Sequence, residues 1–186
     1  MSGTTTPISA STVLPPPQGT FATVADMNES GSYIIYQDLT VPATGTTEFS
    51  AIVYIENTND VYISGPDLSY SPVPNQQVRI DITDPASPLR DIGVGVLLNV
   101  FQTTPATPLS LGYTTVNADL TSFAGQTVRI RIADVDNQNL LIAAVDAVSV
   151  DNSIGVPTMN EWGMIIFMIL AGFSTIYFLR RQREVT

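Results

Sequence analysis

Val78-Arg79-Ile80-Asp81-Ile82-Thr83 and Val128-Arg129-Ile130-Arg131-Ile132-Ala133 place apolar residues at every second position. A strand turns successive side chains to opposite faces, so each segment predicts a β-strand with one dry face and one wet face. Shorter runs outward from these two read the same way: Tyr33–Thr40, Thr47–Glu56, Val94–Gln102, Thr114–Asp119 and Leu140–Val150. They are separated by turn chemistry at Asn57-Thr58-Asn59-Asp60, Asp84-Pro85, Thr104-Pro105 and Asp136-Asn137. About seven strands with no amphipathic helix between them predict an all-β domain, a sandwich of two antiparallel sheets.

Composition narrows the chemistry. The chain has 186 residues with 17 acids, seven Arg and no Lys, His or Cys. A thiol nucleophile, a Ser-His-Asp triad and a Cys/His zinc site are all excluded. The acids are numerous but no pair is set apart by its surroundings, so no enzymatic activity and no cofactor are expected. Residues 1–160 hold 15 acids against Arg79, Arg90, Arg129 and Arg131, a net of −11. Phosphate binding needs clustered cations, so nucleic acid is not an expected partner.

Residues 1–20, rich in Ser, Thr and Pro and free of charge, read as a flexible lead-in. The predicted sandwich occupies 21–151 and a linker 152–161. Residues 162–179 (WGMIIFMILAGFSTIYFL) are 18 residues without a charge or a proline. As a helix they span about 27 Å at 1.5 Å per residue, close to the roughly 30 Å of a bilayer core. Trp162 and Tyr177 suit the headgroup level. Arg180, Arg181 and Arg183, in the 180–186 tail, form a membrane stop that stays on the cytoplasmic side. That orientation places residues 1–160 outside and requires export. Residues 1–20 lack the basic region and apolar run of a secretory signal, so a signal is expected upstream of Met1 or already removed. The opposite orientation, a tail anchor with its domain in the cytoplasm, runs against the charge rule.

Val156-Pro157-Thr158-Met159-Asn160-Glu161-Trp162-Gly163, followed by the apolar segment and the Arg cluster, resembles the IPTL-CTERM sorting signal, a relative of the PEP-CTERM signals of Gram-negative bacteria. Val replaces the leading Ile, Met replaces Leu and Asn replaces the common Ser. The resemblance covers about 30 residues. It implies an exosortase-like membrane enzyme as partner, and a path from the inner membrane, with the domain in the periplasm, to the cell surface or the extracellular matrix. The residues alone describe a Pro-containing extended segment whose backbone is presented to such an enzyme at a fixed height above the bilayer.

A second resemblance is carried by Tyr36-Gln37-Asp38-Leu39-Thr40-Val41-Pro42, by the stretch from Asp119 to Arg131, and by Val145-Asp146-Ala147-Val148-Ser149-Val150. With the strands between them these resemble galactose-binding-like jelly rolls over roughly residues 20–151. Arg79 and Asp81 on one polar face and Arg129 and Arg131 on another form the candidate ligand patch. Arg and Asp beside Tyr suit a sugar, which makes a carbohydrate-binding module for polysaccharide the alternative function. Cross-strand ion pairing on a wet sheet is the plainer reading of the same residues. Asp134-Val135-Asp136-Asn137-Gln138-Asn139 has alternating oxygen-bearing side chains but fails the EF-hand pattern at Asn139 and Val145. It reads as a hairpin turn, and no metal ligand is assigned, Asp146 and Asp151 included.

Overall fold

The computed structural model describes residues 1–154 and 164–171. The chain divides into a unit Met1–Ser153 and a second unit Ile154–Thr186. The first carries eight strands: β1 (Thr23–Ala25), β2 (Gly31–Thr40), β3 (Thr46–Asn57), β4 (Gln77–Thr83), β5 (Val96–Gln102), β6 (Ser110–Asp119), β7 (Thr127–Asp136) and β8 (Leu141–Ser153). They form two four-stranded sheets, ordered β1-β8-β3-β6 and β2-β7-β4-β5, with every pair antiparallel. The expected two-sheet sandwich is present. Successive strands alternate between the sheets except at the β4–β5 connection, an arrangement consistent with a jelly roll.

The core lies between the inward faces. Val78, Ile80 and Ile82 of β4 and Val128 and Ile130 of β7 meet Phe49, Ala51, Val53 and Ile55 of β3. These are the apolar positions of the period-2 runs, so alternation identifies the inner face directly. At about 25 cal/mol per Å² of apolar surface removed from water, such side chains supply most of the force that closes the two sheets.

Two expectations are corrected. The first concerns β4: all seven of its residues are buried, so its polar side is not wet. The connection between β3 and β4 and the connection between β4 and β5 fold over that side and meet where the Leu68 N–H donates to the Arg90 carbonyl at 2.9 Å. Beneath them Leu68, Ala133 and Val135 form a separate apolar cluster. The second concerns residues 1–22, which lie against the outer face of the other sheet instead of trailing free. Val13, 5% exposed, packs with Tyr54, Ile142 and Ala144. The arm is closed by a bridge between Thr5 and Thr12, and the Asp26 carboxylate accepts from the N–H groups of Ile8 and Ser9 at 2.8 and 2.9 Å. The reason is local: that sheet has apolar side chains on both faces, and the outer ones need a cover.

Val13→Ala removes two buried carbons, worth about 0.8 kcal/mol each. We expect it to lower stability by roughly 1–2 kcal/mol in urea denaturation. An unchanged midpoint would mean that the arm contributes nothing to the fold.

Residues 164–171 are helical, and the seven from Met164 to Leu170 are large apolar side chains, each at least 42% exposed. Among the described residues no helix is long and apolar enough to cross a membrane. Residues 162–163 and 172–179 of the expected span lie outside the described residues. So do Val156, Pro157, Thr158, Met159, Asn160, Glu161, Trp162 and Gly163 of the sorting motif, and Arg180, Arg181 and Arg183.

Candidate functional site

β4 and β7 pair with Asp81 opposite Arg131, Arg79 opposite Ala133 and Thr83 opposite Arg129. This register puts all four residues of the predicted ligand patch on the outer face of one sheet. It gathers three of them into a cluster and leaves the fourth apart. The Arg79 guanidinium donates to both Asp81 oxygens, Nε to Oδ2 and Nη2 to Oδ1, each at 3.0 Å. Arg131 Nη2 donates to Asp81 Oδ2 at 2.6 Å, and Asn99 Nδ2 of β5 donates to Oδ1 at 2.8 Å. Asp81 therefore receives four donors in a site where its side chain has no exposure.

The cluster is not the solvent-facing patch that the sequence suggested. Arg79, Asp81 and Arg131 are 5%, 0% and 1% exposed, because the covering segments close over them. Arg131 is the clamp. Its Nη1 donates to the carbonyls of Leu89 and Asp91 at 2.8 and 2.6 Å, while its Nε has no partner. Asp91 in turn accepts from the N–H groups of Gly93 and Gly95 at 3.1 and 2.8 Å. These two bonds hold its carboxyl below the ordinary value. A Cβ at Gly95 would lie 2.3 Å from Ser87 Oγ, so the turn needs glycine for this close approach. The chemistry of the cluster is that of a buried charge network fastening a loop.

Arg129 stands at the open end of the same face. Nε and Nη2 donate to Asp38 of β2 at 2.6 and 2.9 Å, and the guanidinium carbon lies 4.5 Å from the centre of the Tyr36 ring. The hydrogen bonds from Arg129 hold the Asp38 carboxyl below its ordinary value. Arg129→Ala is expected to lower the melting temperature modestly, and by less in 1 M salt, where the Debye length is about 3 Å and only the loss of its packing on Tyr36 remains. A large loss that persists in high salt would refute the surface assignment. On the inward side of this sheet, at the β2 edge and facing away from Arg129, a groove of about 200 Å³ is lined by Ile35, Tyr36, Gln37, Ile130, Ile132 and Val148 of β8.

The Asx-rich segment divides into two parts. Asp134 and Asp136 belong to β7 and continue the inward parity of Val128, Ile130 and Ile132, so they point between the sheets. Asn137 to Leu140 form the connection. The Asn137 N–H and the Gln138 N–H donate to Gln76 Oε1 at 3.3 and 3.2 Å, and Asn137 Oδ1 accepts from the Asn75 N–H at 2.8 Å. Burial, and the hydrogen bonds that oppose it more weakly, leave Asp136 pushed up to about 6. Burial, reinforced by the charge of Asp136, holds Asp134 well above its ordinary value, and neither of its oxygens has a hydrogen-bond donor. Among the described residues no three acidic side chains are grouped so as to hold a metal ion. Asp146 accepts from the N–H groups of Ala147 and Gln18, at 2.7 and 3.1 Å, and Asp151 from the Ser149 hydroxyl at 2.9 Å.

The Asn75-Gln76-Gln77 run, which fastens the β3–β4 connection to the β7–β8 connection, has no sequence signal beyond being polar. Asp134 had one, since two further steps of the β7 parity lead to it.

No family model matches the chain, and no curated protein matches it. Among solved structures it is similar to a chain in the structure of infectious bursal disease virus Gx strain, with 11% identity and a TM-score of 0.22, over 84% of this chain and 39% of that one. A likeness of that size carries no argument about fold or function.

Proposed function

We propose that this is an exported bacterial protein of the cell envelope or extracellular matrix, sorted and anchored through an IPTL-CTERM-like signal at its C-terminus. The observation that carries this reading is the three-part layout of residues 156–183: the Pro-containing motif, the uncharged apolar segment and the Arg cluster. The described part of the apolar segment supports it, being helical with a continuous apolar surface at 164–171. Side chains of this kind are stable in hydrocarbon and costly in water. In this reading the sandwich is the outside domain, an exosortase-like enzyme acts at Val156–Gly163, and the domain is not itself an enzyme.

Removing residues 162–186 tests the anchor. The full chain should pellet with membranes and leave them only in detergent, whereas the truncated chain should remain in the soluble fraction. Recovery of the full chain as a monomer in buffer without detergent would overturn the proposal.

The alternative, a carbohydrate-binding module, keeps one favourable surface feature. Tyr36 is half exposed on the outer face and carries Arg129 and Asp38, an aromatic platform next to charged hydrogen-bonding groups. Glycan-array binding abolished by Tyr36→Ala and Arg129→Ala would support the module, and binding to no glycan would leave a structural role.

A further inference from the structure

Asp134 presents two buried carboxylate oxygens with no donor from the protein, in a side chain 4% exposed. It stands in a row across the inward face of the second sheet, between Tyr33 of β2 and Val78 of β4. This row borders a cavity of about 90 Å³ that lies between the two edge strands β1 and β2. The other walls are Thr23 and Ala25 of β1, opposite Val145 and Ala143 of β8, together with Ile35 and Ile132. The Tyr33 hydroxyl is engaged with the Glu29 carbonyl and that of Tyr62 with the Pro108 carbonyl. Arg79, Arg129 and Arg131 lie on the opposite face of the sheet, and the next inward side chain along β7 is a second carboxylate, Asp136.

We propose that this cavity is a binding site for a primary ammonium on a short apolar stem, with Asp134 as its counter-charge and the aliphatic walls around the stem. An unpartnered buried carboxylate is costly, and a ligand that supplies N–H donors removes that cost. An anion would face both Asp134 and Asp136. A neutral alkyl group would fill the space but leave the oxygens unpaired. An ammonium satisfies both requirements, and the strongly negative domain favours its approach. The same chemistry is carried by a free alkylamine or by a lysine side chain of a partner peptide.

The test is titration of the full-length chain in detergent micelles, followed through the methyl NMR signals of Ile35, Ile132 and Val145. The probes are n-butylammonium, 1-butanol and N-acetyl-lysine methylamide. We expect saturable shifts with n-butylammonium, at least about tenfold weaker binding of 1-butanol, and a similar loss for n-butylammonium in Asp134→Asn. Ala25→Phe, which fills the cavity from β1 and keeps the carboxylate, should abolish binding. Tighter binding of the lysine derivative than of n-butylammonium would support the site with a peptide as its source. No saturable binding of either ammonium would overturn the proposal. So would equal affinity for 1-butanol, or unchanged affinity in either variant.

Discussion

Asp81→Ala should destabilise the chain by about 3–5 kcal/mol, the largest effect expected of any single substitution in the sandwich. Among the described residues Asp81 is the only carboxylate that Arg79 and Arg131 touch, and both guanidinium groups are buried. Its removal leaves two like charges facing each other without their counter-charge, and removes one hydrogen bond from the exposed Asn99 amide. The loss should spread to the β4–β5 connection, because Arg131 holds the Leu89 and Asp91 carbonyls only while its other end is fixed. Denaturant unfolding of the detergent-solubilised chain measures the energy, and amide exchange at Gly93 and Gly95 reports on the loop. Replacing Arg79, Asp81 and Arg131 together with apolar residues of similar size should cost much less, since no charge is left unpaired. A small effect of Asp81→Ala would show that water reaches the cluster.

Stability should rise as the pH falls from about 8 to about 5, and Asp134→Asn should remove much of that rise. Asp134 and Asp136 have folded pKa values above the roughly 3.9 of an unfolded Asp, Asp136 at about 6 and Asp134 well raised. Between the unfolded and folded values the native state binds more protons than the unfolded one. Stability therefore falls with rising pH, by at most about 1.4 kcal/mol per pH unit for each group. The groups facing Asp134 are Tyr33, Tyr62 and Asp136, none of them a cation. Below about pH 4 the trend reverses, because Asp26, Asp38, Asp91 and Asp119 have lowered values and lose their native hydrogen bonds when protonated. At pH 8, Asp134→Asn should stabilise the chain, because it removes the cost of burying or protonating an ionisable carboxyl without changing the size of the side chain. Melting curves from pH 3.5 to 8.5 for both proteins check this. A flat profile for the parent chain, or a destabilised variant at pH 8, would count against a strained Asp134.

The inner face of the sandwich was legible in the sequence because it depends on parity alone, and Val78, Ile80, Ile82, Val128 and Ile130 fall where the alternation puts them. The outer face was not. Arg79, Asp81 and Arg131 alternate just as residues on a wet face do, and period cannot distinguish a polar face under loops from one under water. The segment between β4 and β5 that covers it is joined to it by hydrogen bonds between residues 40 and 42 positions apart. The docking of residues 1–22 had a cue in Leu140-Leu141-Ile142-Ala143-Ala144-Val145, an unbroken apolar run that marks a strand buried on both sides. The three-residue β1 is too short to carry a periodic signal. Asp134 was read as part of a turn because Asp and Asn dominate turns, although the strand's parity runs through it.

The proposed reading is topological: it puts the sandwich outside, the segment at 162–179 in lipid and the Arg tail inside. Because the chain has no cysteine, one introduced thiol at a time reports each side without background. Thr44→Cys, on the exposed β2–β3 connection, and Gln182→Cys, in the tail, would be treated with a membrane-impermeant maleimide on spheroplasts before and after lysis. The account predicts that Cys at 44 reacts at once and Cys at 182 only after lysis. The reverse pattern, or equal reaction of both before lysis, would contradict it.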